Sequence, residues 1–225
     1  AYKRLKAACA GAVEREMLRS NPVKIKEAGK RVETKEKYLP TDDEIAAILD
    51  NVNERYRALT SLMLHHGLRI GEAIALERDD VRVEHQPGAP LPRVTVRVKQ
   101  NAQRISGKGG TYMLVQPPKT KAGYRDVPIM AADVPIFLEH LEKYAPTSST
   151  VVQTSEGERS AVLFTVTNAG RMVMDTSYRS VLARAKERAG VSPDIDPHTG
   201  RNWLITRLAE QDAHLKEIGR LLGQD

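Results

Sequence analysis

The stretch HHGLRIGEAIAL, residues 65–76, carries the helical pattern on which the fold depends. Its apolar residues recur three and four positions apart, which is typical of a helix with one buried face. Arg69 interrupts that pattern, with Gly67 and Gly71 on either side of it. Glycine lets neighbouring groups approach closely, and a guanidinium can be enclosed where its donors find acceptors. The pattern predicts that Arg69 is held inside the fold instead of in water.

Helical patterns also precede this stretch. LPTDDEIAAILDNV, residues 39–52, predicts a helix start, because Thr41 can cap it and Glu44 completes a capping box. A second helix is predicted at about residues 54–65, and the opening stretch supplies a third.

The N-terminal part has a different character. Residues 2–19 predict a short amphipathic helix that Pro22 stops, and the highly charged segment that follows predicts an exposed linker. We therefore expect residues 1–22 to belong to a preceding domain, residues 23–37 to be a linker, and residues 38–225 to form the main domain.

The period changes after the opening stretch. RVTVRV, TYMLVQ and RDVPI are β-like and are separated by glycines or turn formers, which predicts a small antiparallel sheet within residues 92–130. Helical patterns then return at about residues 131–144, 175–189, 199–210 and 213–222. The expected fold class is mainly α with a small antiparallel β-sheet (α+β).

Composition sets broad limits on function. The 225 residues are 40% hydrophobic and 28% charged, which is sufficient for a real core. The net charge of +6 is compatible with a phosphate-bearing partner. The single cysteine, Cys9, cannot form an internal disulfide, and no apolar run reaches the ~18 residues of a membrane span. We expect a cytoplasmic protein without a membrane partner.

Polar side chains with chemical potential occur in pairs within three short segments. They are Arg69 with Glu72 in the opening stretch, Lys119 with Lys121 in PPKTKAGYRDVPI (117–129), and His198 with Arg201 in DPHTGRNW (196–203). Each pair alone has an ordinary explanation as a surface ion pair, solvated turn lysines or exposed helix residues.

As a set, two arginines, a lysine and a histidine suit phosphoryl transfer. Arginine forks hold non-bridging oxygens, and the other donors can serve a leaving oxygen. The acids are dispersed, which argues against a magnesium site, and the adjacent His65 and His66 cannot easily face one zinc ion, with or without His85. The sequence contains no glycine-rich phosphate loop. We expect neither a metal nor a cofactor.

In their order along residues 38–225, the three segments resemble the arginine, hairpin-lysine and H-x-x-R boxes of the tyrosine recombinase family, the phage integrases and their relatives. The resemblance implies a tyrosine recombinase catalytic-domain-like fold. It also implies roles for the paired residues. Arg69 and Arg201 bind the scissile phosphate, Glu72 supports Arg69, and His198 assists proton transfer or binds a phosphate oxygen. Either Lys119 or Lys121 protonates the leaving 5′ oxygen.

The implied activity is site-specific DNA recombination, in integration or excision, through a 3′-phosphotyrosyl intermediate and without metal or nucleotide. The implied partners are double-stranded DNA, further protomers in a synaptic tetramer, and host or phage accessory proteins that bend DNA or set direction. Residues 1–22 would then be the last helix of a core-binding domain. The resemblance implies a phage or mobile-element protein that acts on DNA in a bacterial cell.

The sequence departs from the family pattern in three places. Gln224 follows LLG where the family usually has histidine or tryptophan, although its amide can still donate a hydrogen bond. Gly200 and Asn202 replace the leucine and histidine of H-x-L-R-H. No tyrosine follows LLG, and the seven tyrosines present match no box. We expect that the segment with the nucleophile is absent and that these residues alone do not cleave DNA covalently.

Other functions stay open. A catalytically inactive DNA-binding protein of the same fold fits the altered positions. A type IB topoisomerase or a telomere resolvase would share the site residues. Strand exchange between two sites separates the recombinase from the topoisomerase, which lacks that activity. In an unrelated helical regulator with a basic face, Arg69→Ala and Arg201→Ala would weaken binding only through lost charge. In a recombinase they would abolish cleavage with little effect on affinity, because affinity is spread over many phosphate contacts.

Overall fold

The computed structural model of the chain describes residues 2–25, 38–107 and 110–223. By its contacts the chain divides into two units, residues 1–37 and 38–225. Residues 26–37, most of the predicted linker, lie outside the described residues.

In the first unit, helix α1 spans Tyr2–Glu14 and buries none of its side chains. The prediction of a helix over residues 2–19 was too long, because Glu16 adopts a left-handed conformation with φ of 57°. The chain then turns back along the helix, where Asn21 donates its side-chain amide to the Lys6 carbonyl at 2.8 Å.

The second unit begins at the predicted capping box. Helix α2 spans Asp42–Asn51, and the Glu44 amide donates to Thr41 Oγ1 at 3.2 Å while the Thr41 amide donates to Glu44 Oε2 at 2.9 Å. Helix α3 spans Glu54–Leu64, where a second helix was predicted. These boundaries are encoded locally, because caps satisfy amides that the first helical turn leaves free.

The opening stretch is a turn followed by a short helix. Helix α3 ends at Leu64, Gly67 takes a φ of +65°, and helix α4 spans Ile70–Ala75. A Cβ atom at position 67 would lie 2.9 Å from Leu222 Cδ2, so glycine is required there for both conformation and space. Arg69 therefore stands at the N-cap of α4 and does not interrupt a continuous helix.

The described strands form two sheets, whereas one sheet within residues 92–130 was predicted. The first has the order β1-β2-β5 and is antiparallel; its strands are Val81–Glu84, Arg93–Val98 and Arg125–Pro128. The second has the order β3-β4-β6-β7; its strands are Asn101–Gly107, Gly110–Gln116, Thr150–Thr154 and Gly157–Ala161. Its β3–β4 and β6–β7 pairs are antiparallel, but β4 and β6 are parallel. The prediction of one sheet was wrong, because β4 pairs with β6, which lies outside residues 92–130, and local sequence patterns do not show which distant strands pair.

The remaining helices occur where the sequence predicts them. They are α5 at Val134–Lys143, α6 at Asp175–Ala189, α7 at Thr199–Glu210 and α8 at Leu215–Leu222. Both α6 and α8 end in a glycine with left-handed φ, Gly190 and Gly223. Among the described residues, no helix has the length and hydrophobicity needed to cross a membrane.

The core lies among the helices and includes buried side chains of both sheets. Its fully buried side chains include Ile45, Ile48, Leu59, Leu62, Val96, Phe137 and Phe164. Tyr178 on α6 is also fully buried, and its hydroxyl shares a 2.9 Å hydrogen bond with Thr60 Oγ1. Tyr112 and Tyr124, by contrast, are exposed.

Helix α7 packs directly on the backbone of α3 at Gly200. A Cβ atom there would lie 2.3 Å from Leu64 Cα and 2.3 Å from the Met63 carbonyl oxygen. These are backbone atoms, so they cannot move aside as a flexible side chain would. The departure from H-x-L-R-H at this position is thus explained by a close helix contact.

We predict that Gly200→Ala destabilises the second unit by about 1–3 kcal/mol, because the added methyl forces α7 away from α3. Urea unfolding followed by far-UV circular dichroism measures this change. Gly107→Ala is the matched control, since a Cβ at position 107 meets nothing within 4 Å. Equal stabilities of the two variants would contradict the packing argument.

Candidate active site

Arg69 lies at the N-cap of α4 and donates a hydrogen bond to each oxygen of the Glu72 carboxylate. Its Nη1 donates to Glu72 Oε1 at 2.8 Å, and its backbone amide donates to Glu72 Oε2 at 2.9 Å. The Arg69 side chain is 42% exposed. The prediction that it is enclosed was wrong, because a helix end opens to solvent and only one of its guanidinium nitrogens is bonded within the described residues.

Glu72 is buried between two guanidinium groups. The second comes from Arg125 at the start of β5, whose Nη2 donates to Glu72 Oε2 at 2.8 Å and whose Nη1 donates to Oε1 at 3.2 Å. Burial alone would raise the pKa of Glu72, but the hydrogen bonds and charges of Arg125 and Arg69 outweigh it and hold that pKa below its ordinary value. Glu72 is therefore an ionised, doubly paired carboxylate at neutral pH.

Arg125 is the residue that sequence reasoning missed. Its side chain is 5% exposed. Strand alternation carried the signal, because Arg125 shares a face of the strand pattern with Val127 and Ile129, both buried, while Asp126 points outward. A charged residue in register with two core residues indicates a buried partner.

Arg201 lies in the first turn of α7 and is 2% exposed. Its Nη1 donates to the Gly67 carbonyl at 3.1 Å and its Nη2 donates to the Leu222 carbonyl. Its Nε is buried and has no acceptor among the described residues. Burial, followed by the charge of Arg69, lowers the pKa of Arg201 to about 10, so it still carries its charge at neutral pH.

The two arginines predicted from sequence belong to one cluster. The charges of Arg69 and Arg125 lower the pKa of Arg201, and the charge of Glu72 raises it. Arg201 also donates to the Gly67 carbonyl, in the turn that leads into Arg69. The structure thus brings together Arg69, Glu72 and Arg201, and it adds Arg125. The cluster holds three cations and one carboxylate, an excess of positive charge that favours an anion.

A cavity of about 910 Å³ opens beside this cluster. Arg69 and Glu72 line it, and Lys119 joins them from the connection between β4 and β5. Lys121 is not among its lining residues and begins a 3₁₀ turn that ends at Gly123. Of the two candidate lysines, Lys119 is the one that shares a cavity with Arg69.

His198 is placed differently from the other candidates. It is exposed at the N-cap of α7, does not line the cavity, and its imidazole makes no hydrogen bond to the described residues. Asp196 orders this helix start, since its Oδ1 accepts from the His198 amide at 2.7 Å and from the Thr199 amide at 2.9 Å. The structure does not bring the His198 ring into contact with Arg69 or Lys119.

The last described residue, Gly223, lines the same cavity. Gln224, the predicted supporting amide, lies outside the described residues. None of the tyrosines in the described part of the chain lines the cavity. The residues present can bind and polarise a phosphate, but the described residues place no tyrosine hydroxyl at the cavity to attack it.

The histidines of the opening stretch support the turn. His65 Nδ1 lies 2.7 Å from Asp133 Oδ2, and its ring lies 5.3 Å from that of Trp203 on α7. Burial lowers the pKa of His66 to about 4, and its Nε2 accepts from the Met130 amide at 3.0 Å. No group of three potential metal ligands occurs among residues 2–25, 38–107 and 110–223. The pair thus ties the end of α3 to α5 and α7.

Comparison with known proteins gives a consistent match. The model of the phage integrase family matches residues 39–224. The putative prophage phiRv2 integrase of Mycobacterium tuberculosis H37Rv is 26% identical over 222 residues, which are 99% of this chain and 53% of that protein. Tyrosine recombinase XerD of Corynebacterium glutamicum is 31% identical over 172 residues, covering 76% of this chain and 45% of that protein. The chain spans about half the length of these curated relatives.

Solved structures share the fold. The Tn1549 transposon integrase in complex with transposon right end DNA superposes with a TM-score of 0.79 at 19% identity, covering 100% of this chain and 70% of that one. A lambda integrase dimer bound to a COC′ core site gives 0.58 at 16% identity, with the same coverage of 100% and 70%. The predicted fold class, mainly α with a small β component and similar to a tyrosine recombinase catalytic domain, is confirmed.

We predict that Glu72→Gln destabilises the second unit by about 3–5 kcal/mol at neutral pH, because it leaves the Arg125 charge buried without its partner. The pKa of Glu72 is lowered from 4.5 in the folded state, so its stabilisation is present above that value and is lost as the pH falls through the folded pKa. The difference from wild type should be constant at about pH 6–8 and shrink below about pH 4.5.

Urea unfolding across this pH range provides the measurement. Glu139→Gln is the control, since Glu139 pairs with Lys143 at an exposed site and its loss should have no measurable effect. A difference between Glu72→Gln and wild type that grows towards low pH would contradict the assignment of Glu72 as an ionised carboxylate.

Proposed function

Because the chain belongs to the phage integrase family, we propose that it is the catalytic part of a site-specific DNA recombinase. The protein cleaves and rejoins DNA strands, in integration or excision, through a 3′-phosphotyrosyl intermediate. Neither a metal nor a nucleotide takes part in this reaction.

The observation that carries this proposal is the cationic cluster beside the cavity. Arg69 is fixed by Glu72 yet half exposed, and Arg201 retains a buried Nε without an acceptor among the described residues. A phosphate supplies the oxygen acceptors that both groups lack. Arg201 is 2% exposed and does not line the cavity, so the groups that cover its Nε must move before a phosphate oxygen can reach it.

Each side chain then has a role. Arg69 and Arg201 neutralise the charge that builds on the non-bridging oxygens as phosphorus becomes five-coordinate. The tyrosine hydroxyl releases its proton to solvent as its oxygen bonds to phosphorus, the bond to the 5′ oxygen breaks, and Lys119 donates a proton to that leaving oxygen. His198 assists proton transfer. The attacking oxygen belongs to a tyrosine that the described residues do not place at the cavity.

The proposed partners follow from the same reaction. The substrate is double-stranded DNA, which the net charge of +6 favours, and the relatives with solved structures, Tn1549 integrase and lambda integrase, hold DNA in them. Recombination of two sites requires further protomers in a synaptic tetramer, with accessory proteins that bend DNA or set direction. Residues 1–22 are the last helix of a core-binding domain, and residues 23–37 link it to the catalytic part.

A second candidate is a DNA-binding protein of the same fold without catalysis. The observation that favours it is the position of His198, which is exposed and does not line the cavity. Covalent cleavage separates the two functions, since a binding protein retains DNA in gel shifts but forms no protein–DNA adduct.

We predict that Lys119→Ala, made in the full-length protein, slows single-turnover cleavage by about 100-fold or more, because the leaving oxygen loses its acid. The substrate is a nicked duplex from the junction between the DNA element that encodes the protein and its flanking DNA. Covalent adducts are counted on denaturing gels. Lys121→Ala is the matched control, and we expect it to change the rate by less than about 3-fold, since Lys121 does not line the cavity.

A second substrate tests the assigned role of Lys119. With sulfur in place of the bridging 5′ oxygen, the leaving group needs no proton, so Lys119→Ala should regain cleavage and Arg69→Ala should not. Both variants should retain DNA affinity, because many phosphate contacts contribute to it. The absence of any adduct with wild-type protein would favour the non-catalytic candidate, and loss of cleavage in Lys121→Ala would move the acid to that residue.

A further inference from the structure

We propose that Arg125 is a positioning residue for the reaction, which holds Glu72 and the C-terminal end of α8 so that Arg69 stays fixed at the cavity. This role rests on the proposed function. Arg125 itself is not among the residues that line the cavity, so it acts on the phosphate through other groups.

The guanidinium of Arg125 joins parts of the chain that are distant in sequence. It makes the two bonds to Glu72 on α4, its Nε donates to the Leu221 carbonyl of α8 at 2.8 Å, and its Nη1 also lies 3.3 Å from the Gly123 carbonyl. At 5% exposure, these contacts are shielded from water. A planar fork with several donors can make them together, whereas a single ammonium cannot.

Glu72 passes the constraint from Arg125 to Arg69. Its Oε1 accepts from Nη1 of both arginines, and its Oε2 accepts from Arg125 Nη2 and from the Arg69 backbone amide. Each carboxylate oxygen is therefore shared between the buried arginine and the exposed one. Rotation of the carboxylate would break bonds on both sides, so the Arg125 fork sets the direction in which Arg69 is held.

The end of α8 gives Arg125 a second function in the cluster. The carbonyls in the last turn of a helix receive no hydrogen bond from an amide of the same helix, so they need donors from elsewhere. Arg125 binds the Leu221 carbonyl, and Arg201 binds the next one, that of Leu222. The two guanidiniums are thus attached to the same helix end, which fixes Arg201 relative to the group formed by Arg69 and Glu72.

A purely structural role would make a different prediction. If Arg125 served only to neutralise a buried carboxylate, any cation at position 125 would suffice for both stability and cleavage. If it positions Glu72 and α8, the fork geometry matters to the rate even when the charge is kept. Arg125→Lys separates these possibilities, because it retains the charge and loses the fork.

The experiment measures single-turnover cleavage, DNA affinity and melting temperature for the full-length protein and its Arg125→Lys variant. We expect DNA affinity within about 3-fold of wild type and cleavage slower by at least about 10-fold, with the variant still folded at the assay temperature. Arg159→Lys is the control. Arg159 lies on β7, whose residues do not line the cavity, and it also binds a carboxylate, that of Glu77 at 2.7 Å. Its cleavage rate should be unchanged.

A mutant cycle covers the case in which Arg125→Lys does not fold. Arg125→Gln is compared with wild type and, separately, within the Glu72→Gln background, where no buried carboxylate is left unpaired. If Arg125 acts through Glu72, its substitution in that background should slow cleavage by less than about 3-fold. An equal loss in both backgrounds would overturn the transmission through Glu72.

The outcomes also distinguish this role from the proposed function. A wild-type protein that forms no covalent adduct overturns the recombinase function and, with it, the role of Arg125. An active wild type together with an equally active Arg125→Lys overturns the positioning role alone. An active wild type with a slow Arg125→Lys and an unchanged Arg159→Lys supports both.

Discussion

The buried carboxylate of Glu72 is the interaction on which the candidate site depends. An ionised carboxylate cannot stay in the interior unless cations and hydrogen bonds compensate the water that it loses. Here the compensation comes from Arg69 on one side and Arg125 on the other, with each carboxylate oxygen shared between them. The start of α4 and the start of β5 must therefore meet, and this requirement places Arg69 at the cavity.

The end of α8 completes the arrangement. Its Leu221 and Leu222 carbonyls are bound by Arg125 and Arg201, so the helix end satisfies two guanidiniums that face the same cluster. Gly67 and Gly200 let these parts approach, since a side chain at either position would collide with Leu222 or with the α3 backbone. Cations held in place before a substrate arrives stabilise developing charge without having to reorganise, which is the main way in which a protein accelerates phosphoryl transfer.

The three arginines of the cluster differ in their exposure to solvent, and therefore in how easily a ligand reaches them. Arg69 is 42% exposed and open to a ligand, whereas Arg125 and Arg201 are buried and bind backbone carbonyls, with Nε of Arg201 left without an acceptor among the described residues. One exposed guanidinium supported by buried ones combines access to a ligand with a fixed direction. Lys119 lines the same cavity from the connection between β4 and β5, so the proposed acid and the proposed phosphate ligand come from separate elements of the fold.

The sequence by itself determined the helices, because caps, apolar period and terminal glycines act between residues a few positions apart. Through the order of its motifs it also grouped Arg69, Glu72, His198, Arg201 and one of Lys119 and Lys121 as candidates for one site. Only the tertiary structure decided that Arg69 is exposed, that the strands form two sheets, that Lys119 and not Lys121 shares the cavity, and that Arg125 pairs with Glu72. These features depend on contacts between distant segments, such as the 53 residues between Glu72 and Arg125, and the free energy of a buried ion pair is set by which elements pack together and not by its sequence neighbours.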